Sequence, residues 1–174
     1  MTDAAGCISL GMDDLKSSLS NSSTFKTWVG ASTAAQALKA IHQSAVRPPD
    51  DGREYTTAAL RNLEPFVLVW DEGGSKDKGK AGGGHEFLPS GRFGLRFYWR
   101  LPTEIRKHPA EVDLRFNNAV GGVIDDLCSA GLGATADRLD VDRVEWGPIR
   151  RYRRSKVIGQ DDVVYKDVTV EWSG

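Results

Sequence analysis

The sequence predicts a single α+β domain spanning residues 1–174. It has an antiparallel sheet of about four strands, a long helix packed on one face, and short helices at the N-terminus. Three observations predict it. "SGRFGLRFYWRLP" (90–102) alternates apolar and polar residues as a half-buried strand does. Residues 109–130 carry an apolar stripe at helical spacing. Two candidate strands precede that helix and two follow it, an order that suits helices on an antiparallel sheet rather than a parallel α/β repeat.

The elements follow in chain order. In "MDDLKSSLSN" Leu15 and Leu19 stand four apart behind Asp13 and Asp14, which suit a helix N-terminus. "SSTFKTWVGA" offers Ser22 or Ser23 as a cap, a short helix carrying Phe25 and Trp28, and Gly30 as a stop. "STAAQALKAIHQSA" reads as a helix capped by Ser32, with Ala34, Leu38, Ile41 and Ala45 on one face. A Pro-, Asp- and Gly-rich connection, 47–65, leads to the buried strand "PFVLVWD". On the next strand Phe93, Leu95, Phe97, Trp99 and Leu101 share one face, and Arg92, Arg96, Tyr98 and Arg100 the other.

Pro109 suits the first turn of the long helix, and Gly131 with Gly133 suits its end. Phe116, Val120, Val123, Leu127 and Ala130 form its stripe, widened by Ile124 and Cys128. Gly121-Gly122 costs about 1 kcal/mol per glycine relative to alanine, so another backbone is expected close by. "DRLDVDRVEW" and "DVVYKDVTVEW" are the last strands, joined by a basic linker, 147–160. In the second, Val164, Val168, Val170 and Trp172 face one way with Lys166 among them. Tyr165, Asp167, Thr169 and Glu171 face the other.

Lys plus Arg (23) nearly balance Asp plus Glu (24), so bulk charge does not drive binding to nucleic acid or acidic lipid. Cys7 and Cys128 lack a CxxC frame, which fits reduced thiols. No apolar run approaches the roughly 18 residues of a membrane span, and no membrane partner is expected.

The motif "GGSKDKGKAGGGHEF" (73–87) holds the glycine and Gly-Lys spacing of a phosphate-binding loop. Ala81 replaces the hydroxyl that would hold Mg²⁺, and the glycines and Pro89 that follow deny it a helix. The expected structure is a flexible Gly/Lys-rich loop, 73–85, between two strands. His85, Glu86 and His108 lack metal-ligand spacing. Asp137, Asp140 and Asp142 lack the glycine and glutamate of a calcium loop. No GxSxG frame marks a nucleophile. The reading is therefore of no enzyme, no cofactor and no metal.

Two basic features remain. Arg92, Arg96 and Arg100 face the same way on one strand, where they either pair with Asp167 and Glu171 across the sheet or serve a subunit interface with them. Arg150, Arg151, Arg153, Arg154 and Lys156 crowd the linker, and Lys76, Lys78 and Lys80 crowd the glycine loop. These eight are the candidates for contact with a protein partner or with DNA.

The series "LKSSLSNSSTFKTWVGA", "PFVLVWDEG", "GRFGLRFYWRLP", "DLRFNNAVGGVIDDLCSAG", "VEWGPIRR" and "YKDVTVEW" resembles the tail terminator, or tail-completion, proteins of tailed bacteriophages. The resemblance covers most of the chain and rests on the order and texture of its elements. It implies a structural virion protein, assembled in the host cytoplasm. Such proteins form a ring, usually of about six copies, that caps the tail tube and joins it to the head. Implied partners are further copies of the chain, the tail-tube protein, a connector or neck protein and, in some tails, a sheath, with DNA passing through the lumen. A neck adaptor between head and tail is the alternative, and a small nucleic-acid-binding domain a more distant one.

Overall fold

The computed structural model describes residues 7–50, 65–78, 87–133, 139–151 and 163–174. Among these, three helices are followed by three strands, a long helix and three more strands. They are α1 (Cys7–Asn21), α2 (Ser23–Trp28), α3 (Ala34–Leu38), β1 (Ile41–Gln43), β2 (Phe66–Lys78), β3 (Phe87–Arg100), α4 (Pro109–Ala130), β4 (Asp140–Trp146), β5 (Arg150–Arg151) and β6 (Val163–Ser173). The strands form one sheet in the order β1-β2-β3-β6-β4, with β5 also pairing β6. All pairings are antiparallel except β1 with β2. The fold is thus α+β as expected, with a larger sheet that is not wholly antiparallel.

The two extra strands are short and escape sequence periodicity. Ile41–Gln43 was expected inside a helix. Instead α3 stops at Leu38, Thr33 rather than Ser32 caps it, and β1 runs parallel to β2. Ala40 O accepts from Val67 N and Ser44 N donates to Val69 O, so pairing with a buried strand wins over local helix propensity. The expected helix face dissolves with it: Leu38 and Ala45 are exposed, while Ala37 and Ile41 are buried. Part of the basic linker is strand as well, since Arg150 and Arg151 pair with Tyr165 and Val164.

The glycine loop is shorter than its composition suggests. After a bulge between Asp71 and Gly74 the ladder resumes, and Gly74 to Lys78 pair with Gly91 back to Phe87. Backbone hydrogen bonding across the hairpin extends the strand through residues with poor strand propensity. Residues 79–86, Lys80 among them, lie outside the described residues.

Helices cover one face of the sheet. Leu15, Leu19, Phe25, Val67, Val69, Phe93, Leu95, Phe97, Val112, Phe116, Val120, Val123, Leu127, Val164, Val168, Val170 and Trp172 belong to a single buried cluster there. Each large apolar side chain so buried contributes about 1.5–3 kcal/mol. α1 begins at Cys7, so Asp13 and Asp14 lie mid-helix rather than in the first turn. On α4, Pro109 occupies the first turn as expected and Val112 extends the buried stripe. Ala130 and Cys128 lie outside it, both exposed.

The glycine pair in α4 divides. A Cβ on Gly122 would meet Thr24 Cγ2 of α2 at 2.6 Å, whereas one on Gly121 would meet nothing within 4 Å. The close neighbour is a side chain, not the expected backbone, and only one glycine is needed for it.

The outer face carries a second, aromatic cluster: Phe66, Leu68, Tyr98, Val163 and Tyr165. Phe66 stacks on Tyr98 at 4.7 Å, and Tyr98 tilts against Tyr165 at 5.9 Å. Trp70 lies opposite Gly94, where a Cβ would come within 2.1 Å of its ring. Burial on both faces explains why β2, β3 and β6 carry large residues on the side that alternation assigns to solvent. Among the described residues, no helix is long and apolar enough to cross a membrane.

Candidate assembly interface

The charged residues singled out on the third and last strands do share the outer face. β3 and β6 run antiparallel with Arg92 opposite Glu171 and Arg96 opposite Asp167, while Arg100 falls opposite Val163 at the sheet's end. The pairs behave very differently.

Arg96 is a buried hub, with no side-chain surface exposed. Its Nε donates to Asp167 Oδ1 at 2.6 Å and its Nη2 to Asp167 Oδ2 at 2.9 Å, a two-pronged carboxylate grip. Nη2 also meets Asp50 Oδ1 at 2.9 Å, and Nη1 donates to Pro49 O at 2.9 Å. The guanidinium carbon lies 4.6 Å from the centroid of the Tyr165 ring. Tyr165 Oη donates to Asp50 O at 3.0 Å. Burial is the main cause raising the Tyr165 pKa, aided by Asp50 and opposed by Arg96 and Arg150. Arg47 and Arg150 close the cluster from outside, each 3.4 Å from a carboxylate oxygen, Asp167 and Asp50 respectively.

The hub therefore pins residues 47–50 onto the sheet. The cross-strand pairing of Arg96 with Asp167 is made within one chain. Asp50, like Arg47 outside it, is a member that sequence reasoning missed. Its only sign was a position after two prolines in a segment with no periodicity.

Arg92 is half exposed. Its Nε lies 3.4 Å from Glu171 and its Nη2 3.9 Å from Glu145 of β4, and Arg143 Nη2 reaches Glu145 at 2.5 Å. These four charges make an accessible ribbon across β3, β6 and β4, each contact worth about 0–1 kcal/mol. Arg150 and Arg151 are exposed on β5. Lys76 and Lys78 are residues of β2, opposite Pro89 and Phe87. Arg153, Arg154 and Lys156 lie outside the described residues.

Two polar features lie on the helix side: Lys166, which alternation places among the apolar residues of β6, and a cleft that the sequence did not signal. Lys166 points into the helix-covered face, 8% exposed, and donates to Asn117 Oδ1 of α4 at 2.8 Å. Burial lowers its pKa, partly offset by Asp113. A cleft of about 510 Å³ lies where α1 ends, α2 begins and α4 ends, lined by Ser17, Asn21, Ser23, Asp126 and Ser129 among others. Asp126 accepts from Ser22 Oγ at 2.5 Å and from Thr24 N at 3.2 Å, and the serine hydrogen bond chiefly holds its carboxyl below the usual range. That carboxylate serves the N-terminus of α2, which Ser22 also caps by accepting from Phe25 N.

The groups with shifted pKa values are dispersed: Asp14 on α1, His42 on β1, Asp126 and Cys128 on α4, and Tyr165 and Lys166 on opposite faces of β6. Fold and surface together define an α+β domain with a tightly ion-paired outer sheet face. Neither a family model nor a curated protein matches the chain. Among solved structures, it is similar to a chain of one described as "Virion of native gene transfer agent (GTA) particle". The similarity spans 98% of this chain and 100% of that one, at 14% identity and a TM-score of 0.49.

Proposed function

We propose that this chain is a structural assembly protein of a tailed-phage-like particle, not an enzyme. In this reading it forms a closed ring at the end of the tail tube, joining tube to head as a tail terminator. The observation that carries the reading is the exposed Arg92–Glu171–Glu145–Arg143 ribbon beside β4, whose Trp146 is 62% exposed. Accessible arginines on the outer face of β3 and β4, and an exposed tryptophan on the other face of β4, are residue types favoured at protein interfaces. The sequence resemblance to tail terminators supplies the particular assembly. Its partners would be further copies of the chain, the tail-tube protein and the connector, with the sheath added in a contractile tail.

Light scattering across a concentration series tests this. A discrete closed oligomer, of about six copies by the resemblance, is the expected outcome, since closed symmetry limits growth. A monomer at every concentration would overturn a preformed ring. Arg150 and Arg151, exposed on β5, keep DNA binding as a second reading. A steep loss of DNA affinity with salt would support it, and no binding at low salt would remove it.

A further inference from the structure

Among the described residues, both ends of the sheet are open. β1 pairs only with β2, and β4 only with β6. An unpaired edge is a template for another strand, and these two edges match in four respects.

The first is direction. β1 is parallel to β2, and β2, β3, β6 and β4 then alternate, so β4 runs opposite to β1. If the sheet continues from one copy into the next, β4 meets the neighbour's β1 antiparallel. The second is backbone phase. Ala40 O and Ser44 N bond inward to β2, which turns the amides of Ile41 and Gln43 outward. Gly147 N bonds inward to Asp167 O, which turns those of Val144 and Trp146 outward.

The third is side-chain phase. Ile41 and Gln43 lie opposite Val67 and Val69, and Val144 and Trp146 opposite Val170 and Val168, so all four project to the helix-covered face. Residues bonded across an antiparallel ladder must share a face, and these do. The fourth is surface character. The β4 edge carries Asp140, Asp142 and Glu145 against Arg143, and the β1 edge carries Lys16, 2.5 Å from Gln43 Oε1, and exposed Lys39. Exposed apolar residues flank both edges, Trp146 at 62% on one and Leu38 at 46% and Val46 at 67% on the other.

We infer that copies of this chain join head to tail through their sheet edges, β4 of one against β1 of the next, with Gln43 opposite Val144 and Ile41 opposite Trp146. The occupant of each edge is a second copy. This rests on the ring reading above and names the junction that would build the ring. Two different edges meet, so the contact is heterologous and propagates until the rotation closes it.

Cysteine cross-linking in the full chain tests the register. Hydrogen-bonded antiparallel partners have Cα atoms about 5.5 Å apart, within disulfide reach. In a Cys7→Ser, Cys128→Ser background, the Gln43→Cys, Val144→Cys double variant should oxidise to a covalent ladder ending at the full ring number. Mixed Gln43→Cys and Val144→Cys single variants should give dimers only, and neither alone should cross-link. A closed oligomer in light scattering without cross-links would overturn the edge junction and leave the ring. A monomer would overturn both, and cross-linking of one single variant with itself would replace this junction by a two-fold one. Trp146→Asp, at an exposed position that leaves folding intact by circular dichroism, should raise the concentration at which the oligomer forms at least tenfold. An unchanged concentration would overturn the inference.

Discussion

Arg92 and Arg96 stand four residues apart on the same face of the same strand, and each lies opposite a carboxylate on β6. One is half exposed with contacts of 3.4 and 3.9 Å. The other is fully buried with four hydrogen bonds at 2.6 to 2.9 Å. The difference comes from what lies above them. Pro49 and Asp50 descend on Arg96 and supply a carbonyl and a second carboxylate, while Tyr165 offers its ring. Among the described residues, Arg92 has only the sheet beneath it, and its side chain is half exposed. Strand position and cross-strand partner set the pairing; overlying chain converts a weak surface pair into a structural anchor.

Four substitutions put that contrast to the test. Arg96→Ala should lose about 3–5 kcal/mol in urea unfolding, because it removes a buried partner and strands two carboxylates. Arg96→Lys should recover little, since one ammonium cannot reproduce the two-pronged grip. A loss below about 1 kcal/mol would mean that the hub is no stronger than the ribbon. Asp50→Ala should cost less, about 1–2 kcal/mol, because Pro49 O and Asp50 O still hold Arg96 and Tyr165. Its effect in an Arg96→Ala background should shrink markedly, and full additivity would show that the two do not act together. Arg92→Ala should stay within about 1 kcal/mol and vanish into experimental error at about 1 M salt, where surface pairs are screened. A larger, salt-resistant loss in the isolated subunit would erase the comparison.

Legibility followed the range over which each feature is determined. α4 was readable to its ends because its stripe, Pro109 and Gly131 are all local signals. The faces of β3 and β6 were readable because alternation is local too, and Arg92 and Arg96 did find Glu171 and Asp167. β1 was not, since three residues carry no period and Ile41–Gln43 becomes a strand only where β2 accepts it. Composition misled at Gly74–Lys78, where glycine and lysine suggested a loop and the hairpin ladder prevailed. Cys128 and Ala130 were placed with the α4 stripe by spacing, yet both are exposed while Leu127 and Leu132 around them are buried, so they sit on the side of the helix end turned away from the core.

By itself the sequence determined the class of fold, the long helix with its Pro109 start and Gly131 stop, the Ser22 cap of α2 and the two facings of the central strands, because these depend on neighbours within one or two turns or pleats. Only the tertiary structure decided that the described residues form a six-stranded sheet, that Asp50 completes the Arg96 hub across 46 residues of chain, and that β1 and β4 are, among the described residues, open edges. Such contacts join residues far apart in sequence. Their energy appears only once the chain has folded back on itself, so no local pattern encodes them.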